Sequence, residues 1–184
     1  MRKFFILINV MLLNVLFLAA QHNKPASETD KKVDALIAKM TLEEKVGQMT
    51  EVTSDVVSTT TNGVHQVDAD KIKEAILKYH VGSILNVSGH AYDRKHWYEV
   101  ISAIQAEAAK DRLKIPVIYG IDAIHGVTYT LGSTLFPQEI AMAATFNKQI
   151  AYKAGEITAY ETRASYLPWN YSPVLDLGKS PLWP

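Results

Sequence analysis

The chain has 184 residues, 19 acidic and 19 basic side chains, no cysteine and 48% hydrophobic residues. It is long enough to bury a core, and its balanced charge excludes a general attraction to nucleic acid or to anionic membranes. Without thiols there is no disulfide framework and no cysteine nucleophile, and any metal would need His and carboxylate ligands alone.

Arg2 and Lys3 precede the apolar run Phe4–Leu18, broken only by Asn9 and Asn14, and small Ala19-Ala20 follow it. This reads as a secretory signal over residues 1–20, which implies a secreted or periplasmic protein that meets the membrane only through that segment. Leu18 stands where a cleavage site prefers a small residue. An uncleaved anchor is the alternative, although the run is shorter than the roughly 20 residues a span needs. The missing cysteine rules out a lipoprotein. Polar Gln21–Asp30, with Pro25, reads as a disordered linker, and folding is expected from Lys31 to the end of the chain.

Val33, Leu36, Ile37 and Met40 fall at helical spacing. Thr41-Leu42-Glu43-Glu44 is a capping-box pattern that opens a second helix, with Leu42, Val46 and Met49 expected on its inner face. Glu51–Gln66 is rich in Ser and Thr and holds Asn62-Gly63, which predicts a surface loop or hairpin. Asp68 or Asp70 can cap a helix carrying Ile72, Ala75, Ile76 and Tyr79, followed by a strand over Val81–Val87. Trp97, Ile101, Ile104 and Ala108 mark a long helix from about Asp93 to Arg112. Pro137 suits the first turn of a helix over Gln138–Ala144, and Asn147 caps one carrying Ile150, Ala154, Ile157 and Ala164. Trp169–Leu177 reads as a further strand.

The most informative stretch is Ile115–Gly126. Its apolar run to Ile121 suits a strand buried on both faces, and it then breaks into Asp122, His125 and Gly126. A strand that delivers polar groups to its own C-terminal end is what parallel α/β folds use to meet ligands. Helix-strand alternation predicts an α/β protein with a parallel sheet, either a (β/α)8 barrel or an open doubly wound sheet. A barrel takes about 250 residues, so the sheet offered here is incomplete.

Lys39–Met49, Gly82-Ser83-Ile84, Gly120–Gly126, Leu135-Phe136-Pro137-Gln138 and Ser172–Gly178 together resemble the opening of glycoside hydrolase family 3, in the family's order. The resemblance implies an incomplete (β/α)8 barrel, the N-terminal portion of the first domain of a secreted retaining β-glucosidase acting on terminal non-reducing β-D-glucosyl residues. It requires no cofactor and implies a carbohydrate substrate. By the same resemblance the nucleophilic Asp, the acid/base Glu and a sugar-binding Lys-His pair fall beyond residue 184, so these 184 residues are expected to be inactive alone. Asp122 matches the family's sugar-binding Asp. Its two carboxylate oxygens can accept charge-assisted bonds from neighbouring hydroxyls. The chain has neither the Glu-Ala-Leu-His-Gly that marks β-xyloside relatives nor the Gln-Glu-Gly-Gly of those releasing N-acetylglucosamine, which favours β-glucosides or short β-glucans.

Each residue also has a structural reading. Asp122 could cap its own loop, and His125 could brace that loop or sit in the core, bracing being favoured by the turn at Gly126. The pair does not make a metal site. Asp176 is read as holding the Gly178 turn, Ser88-Gly89-His90 as rim scaffold, and Trp97 and Trp169 as core. Trp183 is the aromatic read as stacking on a sugar face. The main rival is a non-catalytic extracytoplasmic sugar-binding protein on an open α/β sheet. A small stand-alone α/β domain with a structural role is a second.

Overall fold

The computed structural model describes residues 27–175, so the segment read as a signal, most of the stretch read as linker, Asp176 and Trp183 lie outside the described residues. The chain divides into two compact units, residues 1–40 and 41–184.

In the first unit, helix α1 (Glu28–Ile37) begins inside the stretch read as linker. Ser27 and Asp30 explain this early start: Asp30 N–H donates to Ser27 Oγ at 3.1 Å, and Ser27 N–H donates to the Asp30 carboxylate at 2.8 Å. Two orphan amides are thereby satisfied at the helix start. None of α1 is buried, its apolar stripe included.

The second unit opens with α2 (Leu42–Gln48), and the predicted Thr41–Glu44 capping box is present. Its inner face is not the expected one. Glu44 and Gly47 are buried, whereas Leu42, Val46 and Met49 are exposed. The cause is a backbone-to-backbone approach that only glycine allows: a Cβ on Gly47 would overlap the carbonyl oxygens of Tyr79 and His80, and one on Gly82 would overlap that of Gln48. Gly82 N–H donates to Gly47 O at 2.9 Å across this contact.

Strand β1 (Glu51–Thr53) follows, at the start of the stretch read as a loop or hairpin. A short 3-10 turn then leads to the antiparallel hairpin of β2 (Ser58–Thr61) and β3 (Val64–Val67). Asn62 and Gly63 both have positive φ, as the tight hairpin turn requires. Asp68 caps α3 (Ala69–Lys73), which runs on into a π-helical turn, Glu74–Lys78. After β4 (Ser83–Leu85), Asp93 caps α4 (Arg94–Ala108), and β5 (Ile118–Ile121) follows. Next come α5 (Glu139–Ala143), α6 (Lys148–Ala164) capped by Asn147, and β6 (Trp169–Asn170).

The main sheet is parallel throughout and runs β1-β4-β5-β6, with each strand beside the next main-sheet strand in the chain. A doubly wound sheet reverses its order at a switch point, whereas a barrel adds strands consecutively. Among the described residues the order never reverses, so the architecture is an unclosed (β/α)8 barrel. Its outer face carries the core: Ile84, Tyr119 and Ile121 are fully buried together with Trp97, Val100 and Ile104 of α4. The Trp97 ring meets Tyr119 edge-on, with centroids 5.5 Å apart, and its indole N–H donates to Tyr129 O.

The opposite face is open. Ile118 is 49% exposed and Trp169 41%, which corrects the readings of a strand buried on both faces and of Trp169 as core. Helix α6 also departs from expectation. It buries Ala154, Thr158 and Thr162 and leaves Ile150 exposed, because small side chains form its inner side.

Replacing Gly47 by Ala should cost about 1–3 kcal/mol by forcing α2 away from the Tyr79–His80 backbone. Leu42→Ala on the exposed side should stay within about 0.5 kcal/mol. Urea denaturation of the two variants checks the contrast.

Candidate functional site

Alternation along β5 decides which side chains share a face. Tyr119 and Ile121 go to the helix layer, and Gly120 pairs in register with Trp169 on the open side. Asp122 directly follows β5 at its C-terminal end and is half-buried. Among the described residues, none donates a hydrogen bond to its carboxylate.

The loop carrying Asp122 is held from the next strand. Asn170 Oδ1 accepts from Ala123 N–H at 3.0 Å and from Ser172 N–H at 3.1 Å, while Tyr171 N–H donates to Ile121 O at 3.0 Å. These bonds fix the backbone on both sides of Asp122. His125 ties down the other end of the loop: its Nδ1 lies 3.0 Å from Phe136 O, and Phe136 N–H donates back to His125 O at 2.8 Å. A carbonyl only accepts, so Nδ1 carries the proton. Gly126, at φ +99°, lets the loop pass the Thr134 carbonyl, which a Cβ would strike. The His125 ring thus has the bracing geometry, and it also lines a cavity of about 590 Å³ with Phe136, Met142, Ala154 and Pro173. Asp122 itself does not line that cavity, which lies between the segments around β5 and β6 and the helices α5 and α6.

Three residues near Asp122 went unnoticed in the sequence: Glu51, Asn170 and Tyr171. The Tyr171 hydroxyl donates to Glu51 Oε1 at 2.6 Å, although the two lie 120 positions apart. Its ring crosses directly over Gly120, where a Cβ would overlap the ring and hydroxyl. Burial first, then the Glu51 carboxylate and the Asp122 charge, hold the Tyr171 hydroxyl well above its ordinary range. It is therefore a protonated donor at any physiological pH. Asn170 and Tyr171 abut the Ser172-Pro173 motif, the one sequence signal that could have flagged them.

Elsewhere, Ser88 is engaged with Tyr92 through both its N–H and its C=O, and Thr60 Oγ1 lies 3.2 Å from Ser88 Oγ. Trp97 is fully buried, as expected. Glu44, His80 and Asp111 bring possible cation ligands within 4.8 Å of one another. Arg112 already fills this junction: its Nε donates to Glu44 Oε1 at 3.0 Å and its Nη2 to Oε2, which also accepts from Thr41 N–H. The arrangement is an ion-pair clasp between α2 and the end of α4. Hydrogen bonding from Arg112 first, and from the Thr41 amide next, lowers the Glu44 carboxyl below its ordinary range.

The sequence profile of the glycosyl hydrolase family 3 N-terminal domain matches residues 41–184, and the chain belongs to that family. Three relatives illustrate the kinship. Lysosomal beta glucosidase of Dictyostelium discoideum is 37% identical over 166 residues, 85% of this chain and 20% of that protein. Periplasmic beta-glucosidase of Salmonella typhimurium is 28% identical over 170 residues, 90% of this chain and 19% of that one. Periplasmic beta-glucosidase/beta-xylosidase of Dickeya chrysanthemi is 27% identical over 168 residues, 87% and 25% respectively. The chain spans about a fifth of the length of the first two relatives.

Because the folded-state pKa of Glu44 is depressed, the clasp contributes stability above the unfolded carboxyl pKa and loses it as pH falls through the folded value. Arg112→Gln should therefore lower the melting temperature at pH 7 and make its fall toward pH 3 shallower, so that the two curves approach each other at the acid end; curves that stay parallel would remove the clasp from the acid response.

Proposed function

We propose that these residues form the first part of the barrel domain of an extracytoplasmic β-glucosidase, which removes terminal non-reducing β-D-glucosyl units from β-glucosides or short β-glucans. The observation that carries the reading is Asp122. It is a carboxylate at the C-terminal end of the third strand of a consecutively ordered parallel sheet, where barrel enzymes gather their ligand-binding groups. No described residue uses up its oxygens.

In this reading Asp122 grips two neighbouring hydroxyls of the terminal sugar, and Asn170 and His125 keep its loop in place. Trp183 would stack on the pyranose. The reaction is retaining hydrolysis: a nucleophilic carboxylate forms a glycosyl ester while an acid/base carboxyl about 5 Å away protonates the leaving oxygen and then activates water. Both of those carboxyls are assigned to parts of the longer protein outside these 184 residues. Names of relatives that include periplasmic and lysosomal glucosidases support the substrate class and an extracytoplasmic location. Strand order favours this over a sugar-binding protein built on a doubly wound sheet.

The test is kinetic. In the complete enzyme, Asp122→Asn should lower kcat/KM for an aryl β-glucoside by roughly tenfold to a hundredfold, the loss of one or two charge-assisted bonds that strengthen in the transition state. Its melting temperature should hardly move. Unchanged kinetics would remove Asp122 from the site, and a better turnover of β-xylosides than of β-glucosides would redirect the substrate.

A further inference from the structure

His65 of β3 and His96 of α4 face each other, with Nδ1 of the first 2.8 Å from Nε2 of the second. His65 is 4% exposed, and its ring lies 4.5 Å from the Tyr92 ring, centroid to centroid. The far side of His96 is occupied as well, with Nδ1 3.2 Å from Glu99 Oε2. A carboxylate only accepts, so His96 Nδ1 carries a proton. The remaining protons can then be counted. With both rings neutral, His96 Nε2 is bare and accepts from His65 Nδ1–H. With one added proton, His96 is a cation and donates from Nε2 to a bare His65 Nδ1. With two, a proton occupies each of the facing nitrogens and the contact cannot exist.

We propose that the His65–His96 contact is a proton-counting latch, which holds the β2–β3 hairpin against α4 with zero or one shared proton and lets it go when the second arrives. Beyond the packing of Val67 on the core, the hairpin's other polar ties among the described residues lie elsewhere. Lys71 Nζ donates to Ser58 O at the hairpin's base, and Thr60 meets Ser88 on the β2 side. The charged groups around the pair are Glu99 and Lys95 of α4, and Asp93 and His90 of the preceding loop, all lining one depression of about 300 Å³. Glu99 accepts from His96 Nδ1–H. His90 and Lys95 oppose the second, and Asp93 is engaged in capping α4 through His96 N–H.

Burial first, then the charges of His96 and His90, push His65 down to about 4. A released His65 would take up its proton near the ordinary value of about 6.5. The folded value is depressed, so the latch is at full strength above about 6.5, weakens as pH falls through that window, and is lost below about 4. The hairpin abuts the loop after β4, at the same end of the sheet as Asp122. Acid would therefore loosen the rim and leave the core intact.

Amide hydrogen exchange across pH 7 to pH 3.5, normalised to intrinsic rates, tests this in the intact chain, with imidazole nitrogen shifts followed by NMR. Hairpin amides over residues 59–66 should lose about tenfold or more in protection as His65 protonates, while β4 and β5 amides stay protected. Glu99→Gln, a change at an exposed position, should shift the hairpin transition to lower pH, since it removes the negative charge beside the doubly protonated pair. Hairpin protection that is flat with pH, a midpoint that Glu99→Gln leaves in place, or simultaneous loss of protection in hairpin and sheet would each overturn the latch.

Discussion

Parity along a single strand governs this domain. In β5, Tyr119 and Ile121 are driven into the helix layer, where they complete a fully buried cluster with Trp97, Ile84 and Ile104. Their alternate neighbours Ile118 and Gly120 are thereby committed to the other side, and Asp122 is delivered to the strand's end. A slip of one residue would exchange the two sets, placing a carboxylate against the indole and two large apolar groups in the open. Hydrophobic burial on one face thus sets the position of the polar group on the other, with no direct contact between them.

Much of the scaffold was legible because its signals are local. Thr41, Asp68, Asp93 and Asn147 each cap a helix where the sequence places one, and Asn62-Gly63 makes the hairpin turn. Such features depend on a few neighbouring residues and survive any tertiary context. The misreadings have a common cause in long-range packing. β1 escaped notice because Glu51-Val52-Thr53 has only one residue to offer the core, the other face of the sheet being open. The inner side of α2 was misassigned because backbone approach at Gly47, together with the pull of Arg112 on Glu44, outweighs the burial of Leu42, Val46 and Met49. In α6 the contact is made by Ala and Thr, which a search for large apolar residues overlooks.

The candidate site divides in the same way. Asp122 and His125 stand in a motif that ends a strand, and both could be picked out before any fold was known. Asn170, Tyr171 and Glu51 could not, since their roles arise only when the sheet sets its fourth strand beside the third and its first strand one place beyond the second. No periodicity or spacing encodes a partnership between residues 51 and 171. Topology supplies it, through a parallel sheet in which every connection passes over a helix or hairpin.

Gly120 and Tyr171 also shape the open face of the sheet. The glycine leaves a notch in the sheet, and the phenol fills that notch while anchored to Glu51. At Gly120 the open face therefore presents an aromatic plate, not peptide backbone. Exchanging that tyrosine for a smaller side chain would uncover the notch at Gly120 and free Glu51 of its phenol partner.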